Sequence, residues 1–531
     1  MPTEYIPYRK TNYFSPLICD YLDEIDNIKK LYNRFPNIEN FEGQIEEKMQ
    51  SYSHDIRKDL VKVLLLQYQG LKISAPTLSN IDLLKHKTTF TVTTGHQLNL
   101  FTGPLYFLYK IISTINLTKE LKEAYPQYNF VPVYWMATED HDFNEINYFN
   151  FQNKKLQWNV ESAGAVGRLQ TDGLDEVLGV FEKELGHGTD AKILAELFKK
   201  AYLEQGNLSK ATHYLANELF GSYGLIILDA DHSDLKQLFT PYIEKELLEN
   251  SAYNHVSRTN KYIEELDYKV QVNPREINLF YLTDALRERI VFQDDTFIVY
   301  GTDISWSKED MLQEIKDHPE RFSPNAIMRP LYQEVILPNL CYIGGGGELA
   351  YWLQLKDYFE SVKVTFPILL LRNSVLITTE KQTVKLDKLE LTIKELFLDQ
   401  EALIAKQTKK ISSVTIDFTP QKEHLQKQFE ELYDLATKTD KSFLGAVGAQ
   451  ERKQIKGLEN LEKRLMKAQK RKLKDEIERV TRIQNLLFPN QSLQERQMNF
   501  SEFYVEYGDD LISKLVDVLQ PLKSEFTILT I

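Results

Sequence analysis

The residues best suited to chemistry lie in a short acidic stretch, Thr138-Glu-Asp-His-Asp142, with Glu145 close behind. This stretch follows the apolar run Phe130–Met136, which has the composition of a buried strand. Three carboxylates and a histidine in five residues at a strand end are rarely needed for packing alone. They suit a substrate amine or a magnesium–phosphate group, and no second His or Cys cluster completes a closed zinc site. The alternative is a hydrated acidic turn that caps a helix.

A second candidate site follows an earlier strand. Phe90–Thr94 is β-branched or aromatic, Gly95 ends the run, and apolar residues at helical spacing follow Pro104. We predict that Thr102 caps this helix. In an open α/β sheet, ligands sit at the carboxyl ends of strands, and a helix start offers free N–H groups to an anion. The groups expected to face this crevice are His96, Gln97 and the Gly103 amide.

A third candidate is a run of four glycines, Gly344–Gly347, between the predicted strand Leu340–Ile343 and a helix that begins near Glu348. Four glycines carry a large entropic cost, which is seldom tolerated unless the backbone must approach a ligand closely. A phosphate or a substrate carboxylate is the natural ligand, and a Cβ at Gly345 or Gly346 is expected to intrude on it. The alternative is a flexible loop with a capping glutamate.

Alternation of strands and helices must position these groups. The predicted strands at 90–94, 130–136 and 224–229 each end in polar residues, and helices separate them, which indicates a parallel sheet. The alternation is interrupted at about 147–190 and at 250–322, so we interpret these segments as insertions in a core that spans 1–375. Strands are predicted in the insertions at Phe149–Trp158 (a hairpin), Lys269–Val272, Leu279–Leu282 and Phe297–Tyr300.

The last third of the chain differs in composition. We expect a helical domain at 376–488. From Gln382 to Leu487, apolar residues recur at three- and four-residue spacing without a convincing strand, which predicts antiparallel coiled-coil helices. Between Arg452 and Arg482 there are twelve Lys or Arg against five Asp or Glu. This excess indicates a solvated helical face, or else a surface for a nucleotide or an acidic partner. The segment 489–531 is expected to return to the core.

Composition excludes several functional classes. The 531 residues carry a net charge of −13, which argues against a protein that coats nucleic acid or an anionic membrane. Its two cysteines, Cys19 and Cys341, are far apart, and no apolar run approaches the roughly 20 residues that span a bilayer. We therefore expect a soluble, cytoplasmic protein without disulfides.

Together, these blocks resemble the BshC family of cysteine ligases in bacillithiol biosynthesis. The resemblance rests on several blocks in the same order: Thr94-Gly-His-Gln97, Phe101-Thr-Gly-Pro-Leu-Tyr106 with Lys110, Glu139-Asp-His-Asp142, Arg329-Pro-Leu-Tyr-Gln333 and Tyr342-Ile-Gly-Gly-Gly-Gly-Glu348 with Tyr351 and Gln354-Leu-Lys356. It implies a Rossmann-like core, similar to class I aminoacyl-tRNA synthetases and nucleotidyltransferases, with connecting insertions. It also implies a helical coiled-coil domain and a homodimer. This chain lacks the proline of the family's Gly-Gly-Pro-Gly-Glu, and it has Gly-His-Gln where Gly-Gln-Gln is common.

The resemblance implies that cysteine is joined to the amine of glucosaminyl-malate. Forming an amide in water requires activation, which ATP normally supplies through an acyl-adenylate or acyl-phosphate. ATP, or ADP as the bound product, is thus the expected nucleotide, with magnesium as its companion and no dedicated metal ligands. The catalytic candidates are His96, Gln97, Glu139, Asp140, His141 and Asp142. The candidates for binding substrate or nucleotide are Thr94, Gly95, Gly103, Lys110, Arg329, Gln333, Gly345, Gly346, Gly347, Glu348, Tyr351, Gln354 and Lys356.

Three other classes remain open from sequence. A glycosyltransferase-like enzyme that uses a sugar nucleotide would also place acidic strand ends and a glycine loop around a crevice. A non-catalytic coiled-coil interaction protein would need neither. An RNA-binding relative of the synthetases would use the basic face at 452–482 and show steep salt dependence. A membrane role is not expected, and nucleic acid is a less favoured partner than small molecules.

Overall fold

The structure is a computed structural model that describes residues 3–531. Contacts divide the chain into two compact units: the first runs to Leu376 and includes 494–529, and the second holds 377–493 with the last two residues. Within 3–531, the helices are all too short or too polar to cross a membrane.

The described residues form fifteen strands. In chain order they are β1 Thr3–Pro7, β2 Thr89–His96, β3 Asn129–Met136, β4 Tyr148–Phe151, β5 Lys154–Gln157, β6 Ile226–Asp229, β7 Leu279–Thr283, β8 Leu286–Gln293, β9 Thr296–Val299, β10 Ser305–Trp306, β11 Phe322–Pro324, β12 Asn339–Gly344, β13 Ile368–Leu371, β14 Val375–Thr378 and β15 Glu525–Thr530.

The same residues form twenty-five α-helices. They are α1 Tyr8–Thr11, α2 Pro16–Leu22, α3 Asn40–Ser51, α4 His54–Gln67, α5 Ala75–Leu83, α6 Tyr106–Ala124, α7 Phe143–Ile146, α8 Leu174–Leu185, α9 Thr189–Tyr202, α10 Leu208–Phe220, α11 Ser233–Gln237, α12 Thr240–Glu249, α13 Ser251–Glu265, α14 Lys308–Asp317, α15 Met328–Ile336, α16 Gly346–Trp352, α17 Lys356–Ser361, α18 Glu380–Lys388, α19 Gln400–Ile411, α20 Thr419–Ala436, α21 Lys441–Lys472, α22 Lys474–Leu487, α23 Gln494–Gln497, α24 Ser501–Tyr507 and α25 Asp510–Val518.

A five-stranded parallel sheet organises the first unit, in the order β13-β12-β2-β3-β6. The first strand along the chain, β2, lies in the middle, and the order reverses between β2 and β12. This is the Rossmann arrangement, and its ligand crevice lies at the carboxyl ends of the strands where the order reverses. The predicted α/β Rossmann-like core is confirmed.

Burial on both faces explains why these strands were recognisable. Every residue of β2 is buried, and Phe90 and Val92 pack in one cluster with Leu340, Ile343 and Leu370 from β12 and β13. Parallel strands that are covered on both faces have near-continuous apolar sequences. Register then fixes the polar ends, since His96 pairs with Met136, and Met136 with Asp229. The polar residues that follow each strand therefore meet at one edge.

The insertions contain antiparallel strands. The predicted hairpin is confirmed as β4–β5, and the second insertion forms most of a sheet in the order β10-β9-β8-β7-β11. The predicted strand Lys269–Val272 is wrong: its backbone N–H groups at Gln271 and Val272 donate to the Gln354 side chain instead of to a neighbouring strand.

Two segments near the start of the chain have apolar residues at helical spacing, but they form shorter helices than this pattern predicts. Residues 45–69 form two helices rather than one, because the chain leaves the helix at Tyr52 and Ser53 caps α4. The helical pattern at 25–35 gives only a short 3-10 helix, Asp26–Leu31.

The second unit is helical, as predicted. Helices α20 and α21 form an antiparallel hairpin in which Phe429, Ala436 and Val447 share a small core. Lys422 pairs with Glu462 at 2.7 Å, and the Tyr433 hydroxyl donates to Glu451 at 2.7 Å. These contacts fix the register of the hairpin.

The C-terminal segment 494–529 packs on the rest of the first unit. Asn116 of α6 donates to the carbonyls of Val516 and Leu519, which end α25. Arg372 at the end of β13 forms a bidentate pair with Glu495, and both side chains are buried. This pair ties the segment to the edge of the sheet that carries the candidate site.

Candidate functional site

The crevice between β2 and β12 is lined by a glycine and a tyrosine. A Cβ on Gly95 would lie 3.1 Å from the Tyr342 hydroxyl and 3.7 Å from Nη1 of Arg329. The Thr94 hydroxyl links β2 to β12 by donating to the Ile343 carbonyl at 2.8 Å. A side chain at position 95 would therefore crowd the Tyr342 hydroxyl, whereas the guanidinium would be at ordinary contact distance.

Arg329 is the main cation of this crevice. Its guanidinium lies 5.7 to 6.0 Å from the ring centres of Trp135, Tyr342 and Trp352, and Nη1 donates to Gln333 at 3.1 Å. Nη2 is buried and has no hydrogen-bond partner among residues 3–531. A buried guanidinium N–H is costly to leave unpaired, so this atom is a natural donor to a carboxylate or phosphate.

Glu348 joins the glycine loop to α6. Its carboxylate lies 2.6 Å from Lys110 Nζ and accepts from the Tyr342 hydroxyl and the Gly345 N–H, at 2.7 and 3.2 Å. Burial opposes its ionisation, but Lys110 and these hydrogen bonds hold the pKa of Glu348 below its usual value. Lys110 also donates to the Gly95 carbonyl at 2.6 Å. The loop is therefore fixed by an ion pair.

His96 lies beside this ion pair at the end of β2. It packs against the rings of Tyr106 and Phe107, and Nε2 is buried without a partner in the described part of the chain. Burial, together with the charges of Lys110 and Arg372, holds the pKa of His96 well below its usual value. The imidazole is therefore neutral near pH 7 and can exchange a hydrogen bond with a ligand.

The neighbouring edge, at the ends of β3 and β6, is dominated by carboxylates around one buried lysine. Lys236 Nζ lies 2.6 Å from Glu139 and 3.0 Å from Asp231, and Arg168 pairs with Asp231 at 2.9 Å. Burial raises the pKa of Glu139. Burial also opposes the ionisation of Asp231, but Lys236 and Arg168 hold its pKa below the usual value.

Gln97 joins the two edges. Its Nε2 donates to Asp140 at 2.9 Å and to Glu145 at 3.1 Å, so the residue after His96 holds the acidic turn. Within 3–531, Asp142 and Glu145 form no ion pair with a lysine or arginine. The carboxylates of Asp142 and Glu145 thus lie beside the crevice without a direct ion pair, and the nearby Arg287 guanidinium balances part of the negative charge of the turn.

His141 is oriented by a residue of the second insertion. Arg287 lies over the Phe280 ring and donates to Ser323 and to Nδ1 of His141, the latter at 2.6 Å. Because a guanidinium only donates, Nδ1 of His141 must carry a lone pair. His141 therefore presents an N–H at Nε2 when it is neutral.

Residues 3–531 contain no group of three or more His, Cys, Asp or Glu that is arranged to hold a metal. At the acidic edge, the Lys236 ammonium already occupies the position between Glu139 and Asp231. These two residues consequently do not fit a magnesium ion.

Comparison with known families covers almost the whole chain. Residues 1–373 match "Bacillithiol biosynthesis BshC, N-terminal Rossmann-like domain", and residues 375–531 match "Bacillithiol biosynthesis BshC, C-terminal coiled-coil domain". The chain belongs to the BshC family. Relatives named "Putative cysteine ligase BshC" include those of Christiangramia forsetii, 62% identical over 100% of this chain and 99% of the relative, and Flavobacterium johnsoniae, 60% identical over 100% of both. A more distant relative from Bacillus thuringiensis is 28% identical over 94% of this chain and 95% of its own.

The structure brings most of the BshC site predictions together and separates two. Thr94, Gly95, His96, Lys110, Arg329, Glu348 and Tyr351 surround the crevice, and Gln97 links it to the acidic turn. Gln354 is instead buried, and it hydrogen-bonds the backbone at Gln271 and Val272 as well as Asn260. Lys356 pairs with Glu360 one helical turn away. Both stay predictions as ligands, with protein partners already in place.

Two predictions about the turn at 102–103 are wrong. Thr102 does not cap α6, which has no side-chain cap, and the Gly103 N–H donates to the Leu100 carbonyl at 2.9 Å. Gly103 is needed for another reason, because its φ is +62° and a Cβ would lie 2.6 Å from Asn99 Cβ. The glycine shapes the turn and does not offer its amide to a ligand.

The ligand clash predicted for the glycine run is also wrong at Gly346. A Cβ there would meet Ile18 and Phe14 at 3.6 and 3.7 Å, which is ordinary packing contact, and one on Gly347 would meet nothing within 4 Å. A Cβ on Gly345 would lie 3.3 Å from Glu348 Oε1. The glycine run therefore allows close packing of Glu348 and α2.

Sequence reasoning missed three residues of the site: Tyr342, Lys236 and Arg287. The sequence did contain a signal for Lys236. It is a lysine in the short helix that follows the acidic strand end at Asp229–Asp231, where it can balance the negative charge. Arg287 gave none, since it lies 146 residues from His141.

Proposed function

We propose that this protein joins the carboxyl group of L-cysteine to the amine of glucosaminyl-malate, forming the amide of bacillithiol, and that ATP activates the cysteine carboxylate. Membership of the BshC family supports the substrates. The observation that carries the chemistry is the unpaired Nη2 of Arg329 in the crevice at the end of β2, next to the acidic turn at the end of β3. An amine and an anion can thus be held at adjacent positions.

The acidic turn is the proposed site for the amine. Asp140 and Asp142 would attract the ammonium form of glucosaminyl-malate, and Glu139 would take up a proton before the amine attacks. A carboxylate whose pKa is raised by burial is suited to that task. His141, with its N–H on Nε2, would donate to a substrate oxygen.

The crevice is the proposed site for the activated carboxyl group. Arg329 would hold a carboxylate or a phosphate, and the neutral His96 would complete its hydrogen bonding. Lys110 and Glu348 would hold the loop rather than touch the nucleotide. Magnesium would enter with the ATP phosphates, because Lys236 occupies the carboxylate pair. We propose that the reaction takes place in the cytoplasm, where ATP is available.

A deletion strain tests this proposal. Loss of the gene should cause glucosaminyl-malate to accumulate and bacillithiol to disappear, and the wild-type chain should restore both. Arg329→Met should fail to restore them at equal protein level, and Asp303→Asn, in an exposed loop, should succeed. Unchanged glucosaminyl-malate in the deletion strain would refute the proposal, and sugar-nucleotide turnover without ATP would favour a glycosyltransferase.

A further inference from the structure

A buried chain of polar side chains leads from the scaffold to Arg329. Lys48 of α3 lies 3.2 Å from Glu334, and their side chains are 2% and 0% exposed. Glu334 accepts from the Gln333 amide at 2.9 Å, and Gln333 accepts in turn from Arg329 Nη1 at 3.1 Å. Asn339, at the start of β12, also donates to Glu334, at 2.6 Å.

The hydrogen bonds of this series of side chains have a fixed direction from donor to acceptor. Glu334 in its ion pair only accepts hydrogen bonds, so Gln333 must turn its NH2 group toward Glu334. The carbonyl oxygen of Gln333 then faces Arg329, whose guanidinium only donates. With the amide turned the other way, donors would face donors at Arg329 and acceptors would face each other at Glu334. The carboxylate thus dictates the orientation of the amide.

Stability alone does not explain the buried ion pair. Burial raises the pKa of Glu334 despite Lys48 and two amide donors, which shows that the site disfavours the charge. Replacing a buried ion pair with apolar residues is often neutral or stabilising. The Lys48–Glu334 ion pair is connected to Arg329 through Gln333. We therefore look for a role of this pair other than stability.

We propose that Lys48 and Glu334 are positioning residues that act through Gln333 to hold Arg329, so that Nη2 presents its N–H groups to a carboxylate or phosphate of the substrate. Nη1 is engaged by Gln333, the three aromatic rings flank the guanidinium, and Nη2 remains unpaired. The role of the anion rests on the proposed function, whereas the positioning of Arg329 does not.

Two variants break this series of hydrogen bonds without removing Arg329. Gln333→Met keeps the volume and removes the link. Lys48→Met/Glu334→Gln removes both charges and keeps an acceptor for Asn339, but its two amides can face either way. Each should retain the fold and weaken binding of the anionic ligand by about tenfold, measured by calorimetry with ATP, L-cysteine and glucosaminyl-malate separately. The arm that weakens identifies whether a phosphate or a carboxylate meets Arg329.

Coupling separates positioning from a general effect on structure. In the wild type, Arg329→Met should weaken the same ligand at least tenfold, whereas in the Lys48→Met/Glu334→Gln background it should add less than threefold. Equal effects in both backgrounds would overturn the proposal. Crystal structures of the variants test the positioning of Arg329 without any ligand. Arg329 should leave its place between the rings, and an unmoved guanidinium would overturn the proposal even if the wild type bound none of the three compounds. Failure of the wild type to bind any of them would refute the proposed function separately.

Discussion

Asp140 and Asp142 carry the clearest residue-level prediction. Converting both to Asn should abolish ligation, because the neutral amides no longer attract the ammonium group of the substrate. The midpoint of thermal unfolding should change little, since Asp142 has no direct ion pair among residues 3–531 and the amide in Asp140→Asn keeps an oxygen that can accept from Gln97. Steady-state kinetics and thermal unfolding check this, with Asp303→Asn as the control. A large loss of stability would instead make the acidic turn a structural feature.

The glycines of the crevice give a matched pair of substitutions. Gly95→Ala should weaken binding of the anionic substrate at least tenfold, because its Cβ would crowd the Tyr342 hydroxyl, whose ring lies beside the Arg329 guanidinium. Gly346→Ala should leave binding unchanged, since its Cβ meets only Ile18 and Phe14, and should raise stability by about 0.4–1 kcal/mol. Calorimetric titration and chemical unfolding of both variants check this. Weaker binding by Gly346→Ala alone would contradict the geometry.

At the scale of elements, the contact between α24 and the β4–β5 hairpin should depend on pH. Burial raises the pKa of Glu502 to about 7, although the backbone at Gln152 opposes the shift. Since the protonated acid is favoured in the folded state, its stabilisation is full below the unfolded pKa of about 4.3 and is lost as pH rises through 7. Glu502→Gln should therefore stabilise the protein by about 1–3 kcal/mol at pH 8 and by little at pH 4.

Urea unfolding of the wild type and Glu502→Gln at several pH values measures this difference. Glu506→Gln, on the same helix, serves as the control and should show no such pH dependence. Equal stability of the wild type and Glu502→Gln at pH 8 would show that Glu502 is ionised without penalty in the fold.

The core strands were predictable because their residues are apolar on both faces. Their polar ends could be placed at one edge because parallel strands share a direction. Predictions failed where local pattern competes with distant contacts. Residues 269–272 resemble a strand, yet their N–H groups bind Gln354. Gln354 and Lys356 follow Glu348 at helical spacing, but α16 ends at Trp352, so that spacing does not carry them into the crevice.

Long-range partners were beyond sequence reasoning altogether. The tautomer of His141 depends on Arg287, which is 146 positions away in sequence. The orientation of Arg329 depends on Lys48, which pairs with Glu334 across 286 positions. Only the packed sheet brings them together.

At the scale of the whole molecule, we propose a homodimer to which the α20–α21 hairpin contributes. Leu435 and Phe443, on either side of its turn, are 51% and 41% exposed, and Leu461 is 52% exposed. We interpret these exposed apolar side chains as part of the dimer interface. Light scattering after size exclusion at micromolar concentration should give twice the mass of one chain. A monomeric mass would contradict this assembly.

In the proposed reaction, the chain activates the carboxylate of cysteine and transfers the acyl group to an amine. The most direct test is one reaction with ATP, glucosaminyl-malate and cysteine that carries ¹⁸O in both carboxyl oxygens, followed by mass spectrometry of all products. Activation transfers one carboxyl oxygen to the phosphorus that is attacked, and the amide retains the other. We expect bacillithiol with a single ¹⁸O in its new amide and one ¹⁸O in AMP or in phosphate. Bacillithiol without label in either phosphorus product, or no bacillithiol at all, would contradict the proposed reaction.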